Sequence, residues 1–281
     1  MPKLLSSMVV EFGPIVNLML VQRFILLYQL SKNMEASAKF YGGTSGLQLP
    51  MPKRDFPTEY ADKSRIYFYS TILNSLEVNS SFYRVPLAST VKKWSEDVCG
   101  DFRFTFKLWR DITHNKGLEF KVEDVQRFMS VIDGAGNRKG CLLVQFPPSI
   151  TVAYKNQLQN LLSVISDYNQ GEWPVAIEFR HKSWYRDDVY QLIESYKASL
   201  VIHDMPASAS PLDSFNDELV YLRFHGPDGN YRGSYSDEFL AEYASYINDW
   251  LEEDKTVYTY FNNTMGSALQ NLMTLKTFIN S

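Results

Sequence analysis

Sulfur is scarce in this chain. Its 281 residues include two cysteines, Cys99 and Cys141, and neither lies in a Cys-x-x-Cys pair. That sets aside the common zinc and dithiol motifs and favours a reduced, cytoplasmic protein. A phosphate loop is missing too. No Gly-Lys-Ser/Thr follows Gly42-Gly43-Thr44-Ser45-Gly46 at the right distance. No Gly-x-Ser-x-Gly elbow presents a serine nucleophile, and Thr44-Ser45-Gly46 is only an echo of one. No two of the four histidines have a tight ligand spacing, which weakens the case for a metal centre. Bulk charge is small: a net −4 gives no general attraction to nucleic acid, so only a local basic groove could bind one.

Long apolar runs are also absent. The stretch 15–30 is interrupted by Asn17, Gln22, Arg23 and Gln29, too short and too polar for a membrane helix, so no membrane partner is expected. Ala36-Ser37-Ala38 has a cleavage-like spacing, and Met34 directly precedes the part that reads as a domain. Residues 1–36 are therefore expected to be a leader or extension, with one domain over 37–281.

What remains is ordinary for a globular protein, at 45% hydrophobic and 21% charged residues. Aromatics, at 15%, are plentiful enough to fill a core and still line a site. The pattern along the chain alternates. Strands are predicted over 39–44, 75–79, 102–108, 141–146, 175–180, 199–204, 219–226 and 256–261. Helical stripes fall between them: one over 58–73, a short one around Trp94, then Val122, Val125, Phe128, Met129 and Ile132, then Leu158, Leu161, Leu162 and Ile165. Further stripes follow at Val189, Leu192, Ile193 and Tyr196, at 239–251, and at 266–279. The stretch 205–217 shows no convincing helix. Eight strand–helix units predict a single (β/α)₈ TIM-type barrel whose sixth helix is weak or replaced by a loop. A doubly wound open sheet is the alternative.

In a barrel of this kind ligands bind at the carboxyl ends of the strands. All four histidines, His114, His181, His203 and His225, fall at or just past predicted strand ends. Glu77, Asn79, Lys107, Gln145, Glu178, Arg180, Asp204, Arg223, Asn262 and Asn263 do the same. Val175, Ile177 and Phe179 share one face of their strand, and Glu178 and Arg180 share the other. Glu77 and Glu178 are candidates for an acid/base pair, with His225 as a catalytic base that Asp204 could orient. Lys107, Arg180 and Arg223 would make the mouth cationic and suited to an anion. Asn79, His114, His181, Trp184, Asn262 and Asn263 complete the candidate substrate-binding set. Phe82, Tyr83, Trp109, Tyr231, Tyr235 and Phe261 could stack bases or sugars. Each arginine could equally do no more than neutralise a glutamate.

As an ordered set, several short motifs resemble the YecE-like family, whose function is unknown. They are Gly43-Thr44-Ser45-Gly46, the run from Glu77 to Tyr83, Phe104-Thr105-Phe106-Lys107, Ile112-Thr113-His114, Gln145-Phe146-Pro147-Pro148, Glu178-Phe179-Arg180-His181 with Ser183-Trp184, the run from Tyr221 to Gly226, and Tyr260-Phe261-Asn262-Asn263. Leu47 stands where the family usually has an aromatic. The resemblance implies a TIM-type barrel and supplies neither a reaction nor a cofactor.

Three functions stay open. The first is an enzyme that acts on an anionic substrate, such as a phosphoester, by acid/base chemistry with Glu77, Glu178 and His225. The second is a non-catalytic binder of nucleic acid or a nucleotide. The third is a metal-dependent hydrolase.

Overall fold

The structure, a computed structural model, describes residues 39–169, 173–212 and 218–279. The predicted leader, 1–36, lies outside them. Eight parallel strands alternate with helices: β1 (Phe40–Thr44), α1 (Arg65–Ser70), β2 (Ser75–Val78), α2 (Ser80–Tyr83), α3 (Ala88–Asp97), β3 (Arg103–Lys107), α4 (Arg110–Thr113) and α5 (Val122–Ile132). They continue as β4 (Lys139–Gln145), α6 (Lys155–Asn169), β5 (Val175–Glu178), α7 (Asp187–Ser195), β6 (Ser199–His203), β7 (Leu219–Phe224), α8 (Asp237–Glu252), β8 (Thr256–Phe261) and α9 (Ala268–Phe278). The sheet runs β1-β8-β7-β6-β5-β4-β3-β2 with no reversal of order. A parallel bridge between Ser45 and Glu77, with the Gly46 amide donating to the Glu77 carbonyl at 2.8 Å, joins β1 to β2. This is the (β/α)₈ barrel, and the open doubly wound sheet is excluded. Between β6 and β7 the described residues 204–212 and Glu218 hold no helix, as the sequence suggested.

Side-chain alternation decides what fills the ring. Tyr41, Cys141, Leu143, Ala176, Val201, Tyr221, Tyr258 and Tyr260 form one buried cluster drawn from six strands. Ala176 belongs to that cluster, so period two places Glu178, two residues on, on the same inward face. Outside the ring, α5 buries Val125, Phe128, Met129 and Ile132, each side chain contributing about 1.5–3 kcal/mol. Val122, expected in that stripe, is 41% exposed because it opens the helix and points away from the sheet. The helix expected over 58–73 is broken into a 3₁₀ turn, Thr58–Tyr60, and α1. Ser64 starts the second piece by accepting from the Tyr67 amide at 3.0 Å.

The seam between β1 and β2 is tight. A Cβ on Gly43 would stand 2.2 Å from the Ser75 carbonyl oxygen, a backbone atom that cannot swing away. Gly43→Ala is therefore expected to lower the unfolding free energy by about 1–3 kcal/mol, read from urea midpoints. An unchanged midpoint would mean that the seam is loose.

Candidate functional site

Three inward positions at the ends of β2, β5 and β7 meet in a buried ionic cluster. Arg223 is 1% exposed, and Glu77 and Glu178 are 0% exposed. The Arg223 guanidinium bridges the two carboxylates. Its Nε donates to Glu77 at 2.9 and 3.1 Å, its Nη2 to Glu77 at 2.7 Å, and its Nη1 to Glu178 at 2.9 Å. Ser45 Oγ also donates to Glu77, and the Tyr221 hydroxyl does so at 2.6 Å. Glu178 takes a second guanidinium through Arg180 Nε. Burial alone would raise the Glu178 carboxyl, but Arg180 and Arg223 more than reverse this and hold it well below the usual carboxylate range. Burial would raise Glu77 likewise, and the Arg223 charge, with the Arg223, Ser45 and Tyr221 hydrogen bonds, keeps it lowered. A general acid needs a proton near neutral pH. Both glutamates are held ionised, so neither suits that role in this arrangement.

His225 is tied from both sides. Its Nε2 lies 2.8 Å from Arg180 Nη2 and 3.0 Å from Arg223 Nη1. Guanidinium nitrogens only donate, so Nε2 must accept and the ring proton sits on Nδ1, 3.0 Å from Asp204 Oδ1. Tyr235 donates to the other Asp204 oxygen. Burial, with the two nearby arginines, pushes His225 down to about 4. The lone pair a general base would use is taken by the arginines.

Above this closed layer is a more accessible one. Lys107, at the end of β3, is 9% exposed, and Arg180, just past β5, is 8% exposed. Lys107 Nζ sits 4.1 Å from the centre of the Phe82 ring. Among the described residues it has no hydrogen-bond acceptor and no ion-pair partner. Burial first, then the Arg223 charge, lowers it to about 7. Arg180 spends Nε and Nη2 on Glu178 and His225, leaving Nη1 with no partner among the described residues. His114 is half-buried, its ring 4.8 Å from Phe82, with Nδ1 2.8 Å from Thr113 Oγ1. Burial, then the charges of Lys107 and Arg110, lowers it to about 4. Asn79 adds a buried Oδ1 with no partner. The Asn262 side chain, 8% exposed, lies just past β8.

The family model described as "Protein of unknown function DUF72" matches residues 41–281. The chain belongs to the DUF72 family. The UPF0759 protein YunF of Bacillus subtilis is 24% identical over 246 residues, covering 75% of this chain and 84% of YunF. The UPF0759 protein YecE of Escherichia coli is 27% identical over 117 residues, 42% of each chain. A DUF72 family protein from Enterococcus faecalis superposes with a TM-score of 0.71 at 23% identity, covering 86% of this chain and 96% of that one. Another, from Thermotoga maritima, gives 0.67 at 24%, covering 86% and 99%. These structures share the DUF72 fold, in keeping with the YecE-like motifs.

Three residues of the candidate set are placed elsewhere by the DUF72 fold. Trp184 is fully buried, stacked on Phe179 at 4.5 Å with its indole N–H on the Ile150 carbonyl at 2.7 Å, so it packs the wall and cannot meet a substrate. Asn263 is also fully buried, donating to Gly233 and Asn271 at 3.1 and 2.9 Å. His181 caps the 3₁₀ turn Lys182–Trp184 by accepting from the Ser183 amide. Phe261 is fully buried and Tyr235 nearly so. Tyr83 and Tyr231 do reach solvent. Ser45 and Tyr221 are cluster members that the residue pattern did not single out, and Tyr235, expected to stack on a ligand, donates to Asp204 instead. Tyr221 had a usable signal, since it lies two residues before Arg223 on the same strand face.

Among the described residues no three His, Cys, Asp or Glu side chains converge as metal ligands. Among them, too, no helix is long and apolar enough to cross a membrane. A cavity of about 940 Å³ opens at the amino ends of the strands, near Lys39, Arg103 and Thr256. Two of its cations are engaged, Lys39 with Asp254 at 2.7 Å and Arg103 with Asp101 at 2.9 Å, and the third, Lys197, is exposed to solvent. The buried cations that still have donors to offer, Lys107 and Arg180, stand at the opposite, carboxyl end.

Proposed function

We propose that this DUF72 barrel is an enzyme that takes an anionic substrate, bearing a phosphate or a carboxylate, at the carboxyl ends of its strands. One observation carries the reading: two nearly buried cations, Lys107 and Arg180, keep unspent N–H donors at the mouth. A buried cation left without a full set of partners is costly unless a ligand supplies them. Asn79 Oδ1 and the Asn262 side chain add neutral polar contacts beside them.

In this reading Glu77, Glu178 and His225 fix the arginines, and the proton-exchanging groups are Lys107 and His114. A lysine near pH 7 can give or take a proton at neutral pH. Sulfate is a suitable probe, because its charge is constant over the range of interest. Wild-type protein is expected to bind it, more tightly below pH 7 than above, as Lys107 gains its proton. Arg180→Met is expected to weaken binding by about 10–100-fold, one charge-assisted contact, as measured by calorimetry on protein shown to be folded. Equal affinities for wild type and variant would end the proposal. A single-stranded oligonucleotide titrated over salt tests the nucleic-acid alternative, which requires affinity to fall steeply with salt.

A further inference from the structure

We propose that Lys107 is an amine nucleophile that forms an imine with an aldehyde or ketone carrying a phosphate or carboxylate. The inference rests on the anion reading of the mouth and narrows its substrate class to carbonyl compounds.

The placement of Lys107 is specific. Lys107 ends β3 on the same face as Thr105, whose hydroxyl meets the inward Tyr260 at 2.8 Å. The turn that carries Phe82 is pinned to it: Ser81 Oγ lies 2.7 Å from the Lys107 carbonyl and 2.6 Å from that of Val78. The Phe82 ring is thereby held 4.1 Å from Nζ. An aromatic face beside an ammonium is a weak partner compared with a carboxylate. A lysine that served only to neutralise charge would be expected on Glu77 or Glu178. Both glutamates are instead taken by Arg223 and Arg180, and Nζ is left without an acceptor among the described residues. The charged groups facing it divide: Arg223 from β7 and Arg180 past β5 push the amine down along with burial, Glu178 from β5 and Glu77 from β2 pull it up, and His114 after α4 is neutral near pH 7. The amine is correspondingly lowered to about 7, where a nucleophilic lysine is useful.

The chemistry balances without a further reagent. The neutral amine attacks the carbonyl carbon, a C–N bond forms, and the C=O π pair moves to oxygen. A proton passes from nitrogen to that oxygen to give a carbinolamine. The nitrogen lone pair then forms C=N as the C–O bond breaks with its electrons to oxygen, and the remaining nitrogen proton passes to that oxygen, which leaves as water. Arg180 Nη1 would hold the substrate anion, and His114, whose Nε2 makes no hydrogen bond among the described residues, is placed to relay the protons.

The test is reductive trapping. Whole protein at pH 7 is treated with glyoxylate, a small anionic aldehyde, and cyanoborohydride, and the modified lysines are mapped by mass spectrometry. Lys107 is expected to react at least about tenfold faster than any other lysine, because an ordinary surface lysine near pKa 10.4 is almost wholly protonated at pH 7. Sulfate is expected to slow the reaction, and Lys107→Arg to abolish the Lys107 product while keeping the charge. Labelling spread over surface lysines, with Lys107 no faster, overturns the inference. If that happens while sulfate still binds and Arg180→Met still weakens it, the imine falls and the anion site stands. If Lys107 reacts quickly, sulfate does not bind and labelling is indifferent to it, the anion reading falls and the nucleophile stands.

Discussion

Arg223→Met is expected to cost the fold about 3–5 kcal/mol, the typical penalty for stripping the partner from a buried ion pair. Domains of this kind are stable by only about 5–15 kcal/mol, so the variant should unfold at much lower urea or fail to accumulate. The reason lies in the bridge. One planar guanidinium satisfies a 0% exposed carboxylate on β2 and another on β5, from strands that are not neighbours in the sheet. Without it Glu77 keeps only neutral donors, Ser45 and Tyr221. Arg223→Lys should recover less than half of the loss, because a single ammonium cannot present the fork that meets both acids. Adding Glu77→Gln to Arg223→Met should recover part of it by removing the stranded charge, a non-additivity that a double-mutant cycle reads directly. A wild-type midpoint for Arg223→Met would show that the cluster contributes little. Whatever fraction of Arg223→Lys folds should bind sulfate as wild type does, since each Arg223 nitrogen is already committed inside the cluster. This separates Arg223 from Arg180, although both looked like anion ligands on the sequence.

The strand ends were legible because period two needs no tertiary information. Glu77, Lys107, Glu178 and Arg223 lie on inward faces that could be counted from their neighbours, and a closed parallel ring brings such positions together. Which arginine pairs with which glutamate was not legible. Glu77 and Arg223 are 146 positions apart, and their contact depends on the radius of the ring and on the inward Tyr221 and Tyr260 beneath them. Trp184 misled for a related reason. Its position just past a strand end looked like the mouth, yet the 3₁₀ turn Lys182–Trp184 rolls the indole back onto Phe179. The break before α1 did have a local sign in Ser64, a good N-cap residue, which the apolar stripe over 58–73 obscured. The same three-dimensional pairing decides the pKa directions. Glu178 is lowered because two guanidiniums converge on it, and Lys107 is lowered by burial first and then by the Arg223 charge, which outweigh the pull of the two glutamates.

The second large effect is on acid stability, and it should begin well above the carboxylate range. His114, His203 and His225 are all lowered from the usual 6.5, each chiefly by burial. A histidine that is harder to protonate in the fold than in the unfolded chain lets the unfolded chain bind more protons as pH falls. Stability therefore drops as pH is lowered through 6.5 toward the folded value. For His225, lowered to about 4, this alone amounts to about 3 kcal/mol by pH 4. Glu77 and Glu178 add to the same trend lower down, since a depressed carboxyl stabilises above its unfolded pKa near 4.5 and that contribution is lost below it. Lys107 acts in the opposite window. Its lowered amine makes stability rise with pH between about 7 and 10.5, because only the unfolded chain holds that proton there. Urea unfolding from pH 4 to 9 should therefore show a steep acid limb starting near 6.5 and a gentler gain above 7. His225→Asn should flatten the acid limb without touching the alkaline one, and Lys107→Met should do the reverse. An unfolding free energy equal at pH 7 and pH 4.5 would mean that the imidazoles are protonated inside the barrel, and the contacts of His225 Nε2 with Arg180 and Arg223 could not then be hydrogen bonds.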